Sequence, residues 1–218
     1  MPKKKQIAFQ LRLGGVCLFV ILFFGMVLFL IDARLLPLLF FIIGIVLSVI
    51  APFLDVPSLI KNGDLKYHSL FLLAEKENRG VVKIHGGTLF DYYFALDQKL
   101  SGKDRTKLII SEYLKGMMSL AKNSNQELVF KGTSYIINER TADKIGLKKV
   151  KTNGISKLIL MYNYFNLMAS IYLSKNTIEF PSLNRINTYQ FNAQDIMKKE
   201  QFINKLILKL ENSSTTNL

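Results

Sequence analysis

The 218-residue chain has one cysteine, two histidines and no tryptophan. A single cysteine cannot form an internal disulfide, so nothing in the composition indicates an oxidising compartment. Two histidines, without an H-E-x-x-H motif, are too few to build a closed zinc site, and we expect neither a metal ion nor another cofactor. The patterns G-x-x-x-x-G-K-[ST] and G-x-G-x-x-G are also missing, which excludes the two most recognisable nucleotide sites.

Charged residues are missing from two long apolar runs, residues 13–31 and 35–54, which are separated only by Asp32, Ala33 and Arg34. An apolar run of about 18 or more residues is long enough to cross a hydrocarbon core of about 30 Å as a helix. A signal peptide would not need the second run, and the rest of the chain is too short to bury two wholly apolar helices. The sequence therefore predicts a transmembrane helical hairpin.

Basic residues flank this hairpin on both sides. Residues 1–12 hold four lysines and arginines, and further basic residues follow the second run, whereas the connecting turn has Arg34 alone beside Asp32. Cytoplasmic flanks carry the excess of Lys and Arg, so both termini are predicted to be cytoplasmic. The surplus of Lys over Arg, with abundant Ile and Asn, is typical of an AT-rich bacterial genome. We therefore expect a multi-pass protein of the bacterial inner membrane.

Acidic residues are scarce, with 16 Asp and Glu against 29 Lys and Arg, which gives a net charge of +13. Residues 55–218 alone keep 24 basic and 15 acidic side chains. Such a domain is attracted to anionic lipid headgroups, at about 1 kcal/mol for each nearby Lys or Arg, and to nucleic acid. Because the anchor already holds the domain beside lipid, the bilayer and its anionic headgroups are the favoured partners, and nucleic acid is disfavoured.

Five segments are predicted along the chain. They are a basic cytoplasmic N-terminus (1–12), the hairpin (13–54), a linker (55–65), a cytoplasmic α/β domain (66–211) and a flexible tail (212–218). Alternating strand and helix patterns predict an α/β or α+β fold for the domain, with a mixed sheet and about four helices.

The pattern also predicts individual elements. Strands are expected at 66–74, 80–85, 128–137, 147–151, 177–180 and 186–191, the last two as edge strands. Helices are expected at 104–122, from Asn138 to Gly146, at 155–173 and at 195–210. Residues 88–96 match neither period, and we favour a third strand or a strand that runs into a short helical turn. Residues 155–173 are apolar nearly all the way round, which predicts a central core helix.

The sharpest local feature is the sequence His85-Gly86-Gly87-Thr88, which leaves a predicted strand. Glycines at such a point let backbone N–H groups approach a phosphate or an oxyanion. Asp91, a few residues on, is placed to orient His85 or to act as an acid or base. We favour the simpler explanations, a tight turn with positive φ for the glycines and a surface or capping carboxylate for Asp91. No G-x-S-x-G nucleophile accompanies them, so no residue is assigned as catalytic.

Arg140 is the other candidate for ligand binding. It lies in Asn138-Glu139-Arg140-Thr141, where the free N–H groups of a helix start and a guanidinium are placed to hold an anion. A plain N-cap with a solvated arginine is the simpler explanation, and we favour it. Several aromatic residues suggest base stacking, but they lie among apolar neighbours and are interpreted as core: Tyr92, Tyr93, Tyr162, Tyr164 and Phe165.

Three functions fit these observations. The favoured one is a non-catalytic docking or regulatory module at the inner membrane face, which binds a protein partner or a second copy. The first alternative is a membrane-tethered transferase or hydrolase that acts on a small or lipid-linked anionic substrate in a pocket near His85 and Asp91. The second alternative is a membrane-bound nucleic-acid binder. Geometry separates them, because an enzyme needs its candidate side chains around one concave pocket.

Overall fold

A computed structural model describes residues 3–97, 99–183 and 186–215, and the chain divides into two units at Pro57 and Ser58. The first unit contains helix α1 (Lys3–Ile31), a 3₁₀ helix (Ala33–Leu38) and most of helix α2 (Leu39–Asn62). Far from the turn, the Gln10 side-chain amide donates a hydrogen bond to the Phe53 carbonyl at 3.1 Å. The two helices therefore form a hairpin.

Both hairpin helices are candidates for spanning a membrane. The apolar segments measure 25 residues at 7–31 and 30 residues at 33–62. At about 1.5 Å per residue either one exceeds a hydrocarbon core of about 30 Å. Large apolar side chains such as Phe40 and Phe41 point outward. Helix α2 continues to Asn62, so most of the segment predicted as a linker at 55–65 is helical.

The second unit is built on one six-stranded mixed sheet. In spatial order its strands are β1 (Leu65–Tyr67), β2 (Leu72–Glu75), β3 (Val81–Gly86), β4 (Val129–Ser134), β6 (Asn187–Asn192) and β5 (Lys148–Val150). Only the β3–β4 pair is parallel. Parallel neighbours need a long crossover, which is supplied here by helices α3 (Leu89–Ala95) and α4 (Gly102–Asn123).

Five more helices complete the unit: α5 (Glu139–Lys144), α6 (Gly154–Tyr162), α7 (Tyr164–Lys175), α8 (Ala193–Met197) and α9 (Glu200–Thr215). Helix α4 packs against α7, α8, α9 and β2. The inward side chains Val82, Phe130 and Phe191 are buried in one cluster with Leu114 and Met117 of α4. Because side chains alternate along a strand, the residues next to them point to the opposite face of the sheet.

The predicted fold class, an α/β domain with a mixed sheet after a helical hairpin, is confirmed. The described residues of the domain form seven helices where about four were expected, and four of the seven are shorter than ten residues. Residues 89–95 form a helix because Thr88 and Asp91 make a capping box at its start. Strand β6 is not an edge strand, since it lies between β4 and β5, and residues 177–180 form no strand.

The prediction of a central core helix at 155–173 is wrong. The segment is broken at Asn163, whose side-chain amide donates to the Ile159 carbonyl at 2.9 Å and so ends α6. Helix α6 contains no buried residue at all. An apolar face in a sequence indicates that water is unfavourable there, but it does not reveal what covers the face.

Candidate functional site

The turn after β3 is held by a capping box. The Thr88 backbone N–H donates to Asp91 Oδ2 at 2.7 Å, and the Asp91 backbone N–H donates to Thr88 Oγ1 at 3.3 Å. The two glycines before it make room for aromatic rings: a Cβ at Gly86 would lie 2.0 Å from Tyr113 Oη. Neither Gly86 nor Gly87 has a positive φ. The prediction of a positive φ is therefore wrong, and close packing against aromatic rings accounts for these glycines.

Asp91 is committed to structural partners. Its side chain is buried, and besides the Thr88 N–H it accepts hydrogen bonds from the Tyr67 hydroxyl at 2.5 Å and from the Thr88 hydroxyl at 2.9 Å. Burial raises the pKa of the Asp91 carboxyl, although these hydrogen bonds act in the opposite direction. The arrangement joins α3 to strand β1 and leaves little of the carboxyl open to a substrate.

His85 lies on the opposite face of the sheet from the core, with its side chain 49% exposed. Its Nε2 atom lies 2.7 Å from Glu75 Oε1 on the neighbouring strand, and Lys83 Nζ lies 3.5 Å from the other oxygen of that carboxylate. The hydrogen bond with His85 is the main cause that lowers the pKa of Glu75. None of the hydrogen bonds found in the described chain joins His85 to Asp91.

Arg140 is exposed on α5. None of the hydrogen bonds or ion pairs found among the described residues joins it to His85 or Asp91. The Asn138 side chain caps this helix by accepting the Thr141 N–H at 2.8 Å, as predicted for a plain N-cap. The helix has six residues, so it offers little of the dipole that an anion site requires. The neighbouring Glu139 pairs with Lys149 at 3.0 Å, which places a carboxylate beside any anion that approached.

The cavities of the described domain include a small apolar one and an open groove. The first lies between the carboxyl ends of β3 and β4, has a mostly apolar lining that includes Ile84, Tyr113 and Met117, and holds about 40 Å³. That volume is room for only a few waters, since one water needs roughly 10–15 Å³ by the same measure. His85 and Gly86 contribute to its wall, but Asp91 and Arg140 do not.

The second cavity is an open groove of about 200 Å³ beside strand β1. Lys66, His68 and Lys76 line one part of it, and Val82 and Phe130 line another. Burial is the main cause that lowers the pKa of His68, and the charge of Lys66 adds to the effect. None of the residues singled out in the sequence lies in this groove.

A cluster of buried tyrosines lies behind the His85–Thr88 turn and was not predicted. The hydroxyls of Tyr92 and Tyr113 are 3.0 Å apart. The Tyr135 hydroxyl is buried near the hydroxyls of Tyr92 and Ser174, and burial raises its pKa to about 12, although those two neighbours act in the opposite direction. The three tyrosines are far apart in the sequence, so no local spacing could have revealed the cluster.

A row of four polar residues, three of them lysines, crosses the face of the sheet opposite the core cluster. The strand register places Lys83 opposite Lys131, Lys131 opposite Gln190, and Gln190 opposite Lys148. The Lys83 and Lys148 side chains are 67% and 73% exposed, although they lie 3.5 Å from Glu75 and Asp195 respectively. We call these four residues the lysine row. In the sequence, the members of the row in β3, β4 and β6 are each a polar residue next to a buried one. Only the strand register shows that they lie side by side.

Comparisons of the chain with protein-family models, with curated proteins and with solved structures find no match.

Proposed function

We propose that this chain is a membrane-anchored, non-catalytic docking module whose basic α/β domain binds an acidic protein partner at the cytoplasmic face of a bacterial inner membrane. The observation that carries the proposal is that each candidate catalytic group is held by other partners. Asp91 accepts hydrogen bonds from Thr88 and Tyr67, whereas His85 is paired with Glu75. An acid–base mechanism needs such groups within reach of one substrate.

The lysine row supports an acidic partner. Lys83, Lys131 and Lys148 lie on three different strands of a rigid sheet, so little side-chain ordering beyond the lysines themselves is needed when a partner binds. A surface with an excess of positive charge steers an acidic partner and raises its association rate, an effect that weakens with salt. The hairpin would keep the domain close to the membrane by covalent attachment.

Affinity capture of the intact protein in mild detergent tests the proposal. We compare the wild type with a Lys83→Glu, Lys131→Glu variant and with a control, Lys205→Glu, Lys209→Glu, that changes the net charge equally on the exposed side of α9. An acidic protein in stoichiometric amount should be retained by the wild type and by the control, and lost from the lysine-row variant.

Other outcomes favour the alternatives. Loss from both charge variants would show that net charge alone drives capture, which contradicts docking on the sheet. A retained small molecule that is lost in a His85→Ala variant would favour the transferase or hydrolase. Captured nucleic acid whose binding weakens steeply with salt would favour the nucleic-acid binder.

A further inference from the structure

Helix α6 turns its apolar face outward. Ile155, Leu158, Ile159 and Tyr162 follow the spacing i, i+3, i+4 and i+7, which is the stripe that a surface helix normally packs against a core. Here these side chains, together with Met161, are between 56% and 71% exposed. We call these five residues the α6 surface. The helix itself is well formed, because Asn153 caps it by accepting the Ser156 N–H at 2.7 Å.

The apolar character continues beyond α6. Helix α7 follows directly and exposes Tyr172, and the chain after α7 exposes Ile178 and Phe180 at 76% and 77%. Monomeric proteins rarely expose contiguous apolar patches larger than a few hundred Å², and larger patches mark binding surfaces for proteins or membranes. The exposed apolar side chains from α6 to Phe180 therefore indicate a surface that a protein or a membrane covers.

Basic residues predominate along this segment. Residues 147–180 contain five lysines and one carboxylate, that of Glu179. Three of these lysines pair with carboxylates, Lys175 with Glu179 itself, while Lys151 and Lys157 make no ion pair within the described residues. An apolar helix face that carries a tyrosine and is flanked by lysines has the character of helices that lie in the interface of an anionic bilayer.

We propose that the α6 surface lies on the anionic lipid bilayer to which the hairpin anchors the chain, an inference that rests on the membrane anchor of the proposed function. The covalent anchor makes this contact intramolecular, so a weak interfacial helix suffices to orient the domain. A second copy is a poorer occupant. A symmetric contact through α6 would bring Lys157 of one chain near Lys157 of the other, and like charges oppose such pairing.

The absence of tryptophan from the chain permits a direct test. Full-length Ile159→Trp protein is reconstituted into vesicles of phosphatidylcholine and phosphatidylglycerol, with and without bromine atoms on the acyl chains. An interfacial helix buries its apolar face about 5–10 Å into the boundary, so bromine should reduce the emission at least about twofold. The control is a Leu208→Trp variant, whose site on α9 is 59% exposed and should show emission typical of water.

Two further arms identify the occupant. Replacing phosphatidylglycerol by phosphatidylcholine, or adding Lys151→Glu and Lys157→Glu, should weaken the quenching at position 159. Blue-shifted emission without bromine quenching would show a second copy or a protein on α6, and emission typical of water would show no occupant; either result overturns the inference. Flotation of the same vesicles reports the anchor separately, so a failed inference is distinguishable from a failed anchor.

Discussion

Replacing Asp91 by Asn tests the structural role assigned to that carboxylate. The side chain accepts the Thr88 N–H and hydroxyl at one oxygen and the Tyr67 hydroxyl at the other. An asparagine with its oxygen toward Thr88 keeps the capping interaction, and its NH₂ group can donate to the Tyr67 hydroxyl oxygen. The variant therefore keeps these contacts but replaces hydrogen bonds to a charged carboxylate by hydrogen bonds between neutral groups.

The expected change in the free energy of unfolding follows from these contacts. A hydrogen bond to a charged group contributes about 1.5–3 kcal/mol, and one between neutral groups contributes about 0.5–1.5 kcal/mol. Because the buried carboxylate also carries a desolvation cost that the amide avoids, we expect a net loss of about 1 kcal/mol in the free energy of unfolding.

The assay uses the intact chain in mild detergent, unfolded by urea. All nine tyrosines lie beyond residue 66 and tryptophan is absent, so the near-ultraviolet circular dichroism of tyrosine reports the domain while the hairpin contributes no tyrosine signal. Asp143→Asn, at an exposed position in α5, is the matched control and should change stability by less than about 0.5 kcal/mol. Equal stability of the Asp91→Asn variant and the wild type would refute the reasoning.

The difference in stability between the wild type and the Asp91→Asn variant should also depend on pH. Burial raises the pKa of Asp91, so its contribution to stability is complete below the unfolded pKa of about 3.9 and is lost as pH rises through the folded pKa. The advantage of the wild type over the Asp91→Asn variant should thus be larger near pH 4 than at pH 7. Glu75 has the opposite sign: its lowered pKa gives a contribution that is present above its unfolded pKa and is lost on acidification. An advantage of the wild type that does not change with pH would contradict this assignment.

Two pairs of variants test the packing with the same assay. A Cβ at Gly102 would lie 1.8 Å from the Lys175 carbonyl oxygen, whereas a Cβ at Gly154 meets nothing within 4 Å. Gly102→Ala should therefore cost about 3 kcal/mol and Gly154→Ala should stabilise by about 0.5 kcal/mol, and similar effects at both sites would be inconsistent with the packing. Tyr113→Phe breaks a hydrogen bond between buried hydroxyls and should cost about 1 kcal/mol, while Tyr135→Phe removes a hydroxyl that makes no hydrogen bond of good geometry and should cost less. A cost for Tyr135→Phe as large as that for Tyr113→Phe would contradict this ranking.

The sequence correctly predicted the elements that depend on contacts between residues close together in the chain. The amphipathic pattern of 104–122 matches α4, and Asn138 caps α5 at the expected place. The position of β6 was not predictable, because its neighbours β4 and β5 are chosen by pairing between residues far apart in the chain. The hairpin was predictable for the opposite reason, since each of its helices is a continuous apolar run in the sequence.

The candidate site was less predictable than the fold. The sequence drew attention to Gly86, but it could not show that Gly86 packs against Tyr113, which comes from a helix later in the chain. Asp91 was noticed as a carboxylate, but its partner Tyr67 lies 24 residues earlier. The sequence shows which side chains could act as acids, bases or ligands, whereas the fold determines which of them are already held by other partners.

The strand order also governs how the domain is completed during synthesis. β6 is the last strand to leave the ribosome, yet it occupies the space between β4 and β5. Until residue 192 emerges, β4 has a single neighbour and β5 has none, and unpaired strand edges are templates for incorrect pairing. A chain that terminates before residue 187 would therefore lose an interior strand, and β5 would be left without a partner.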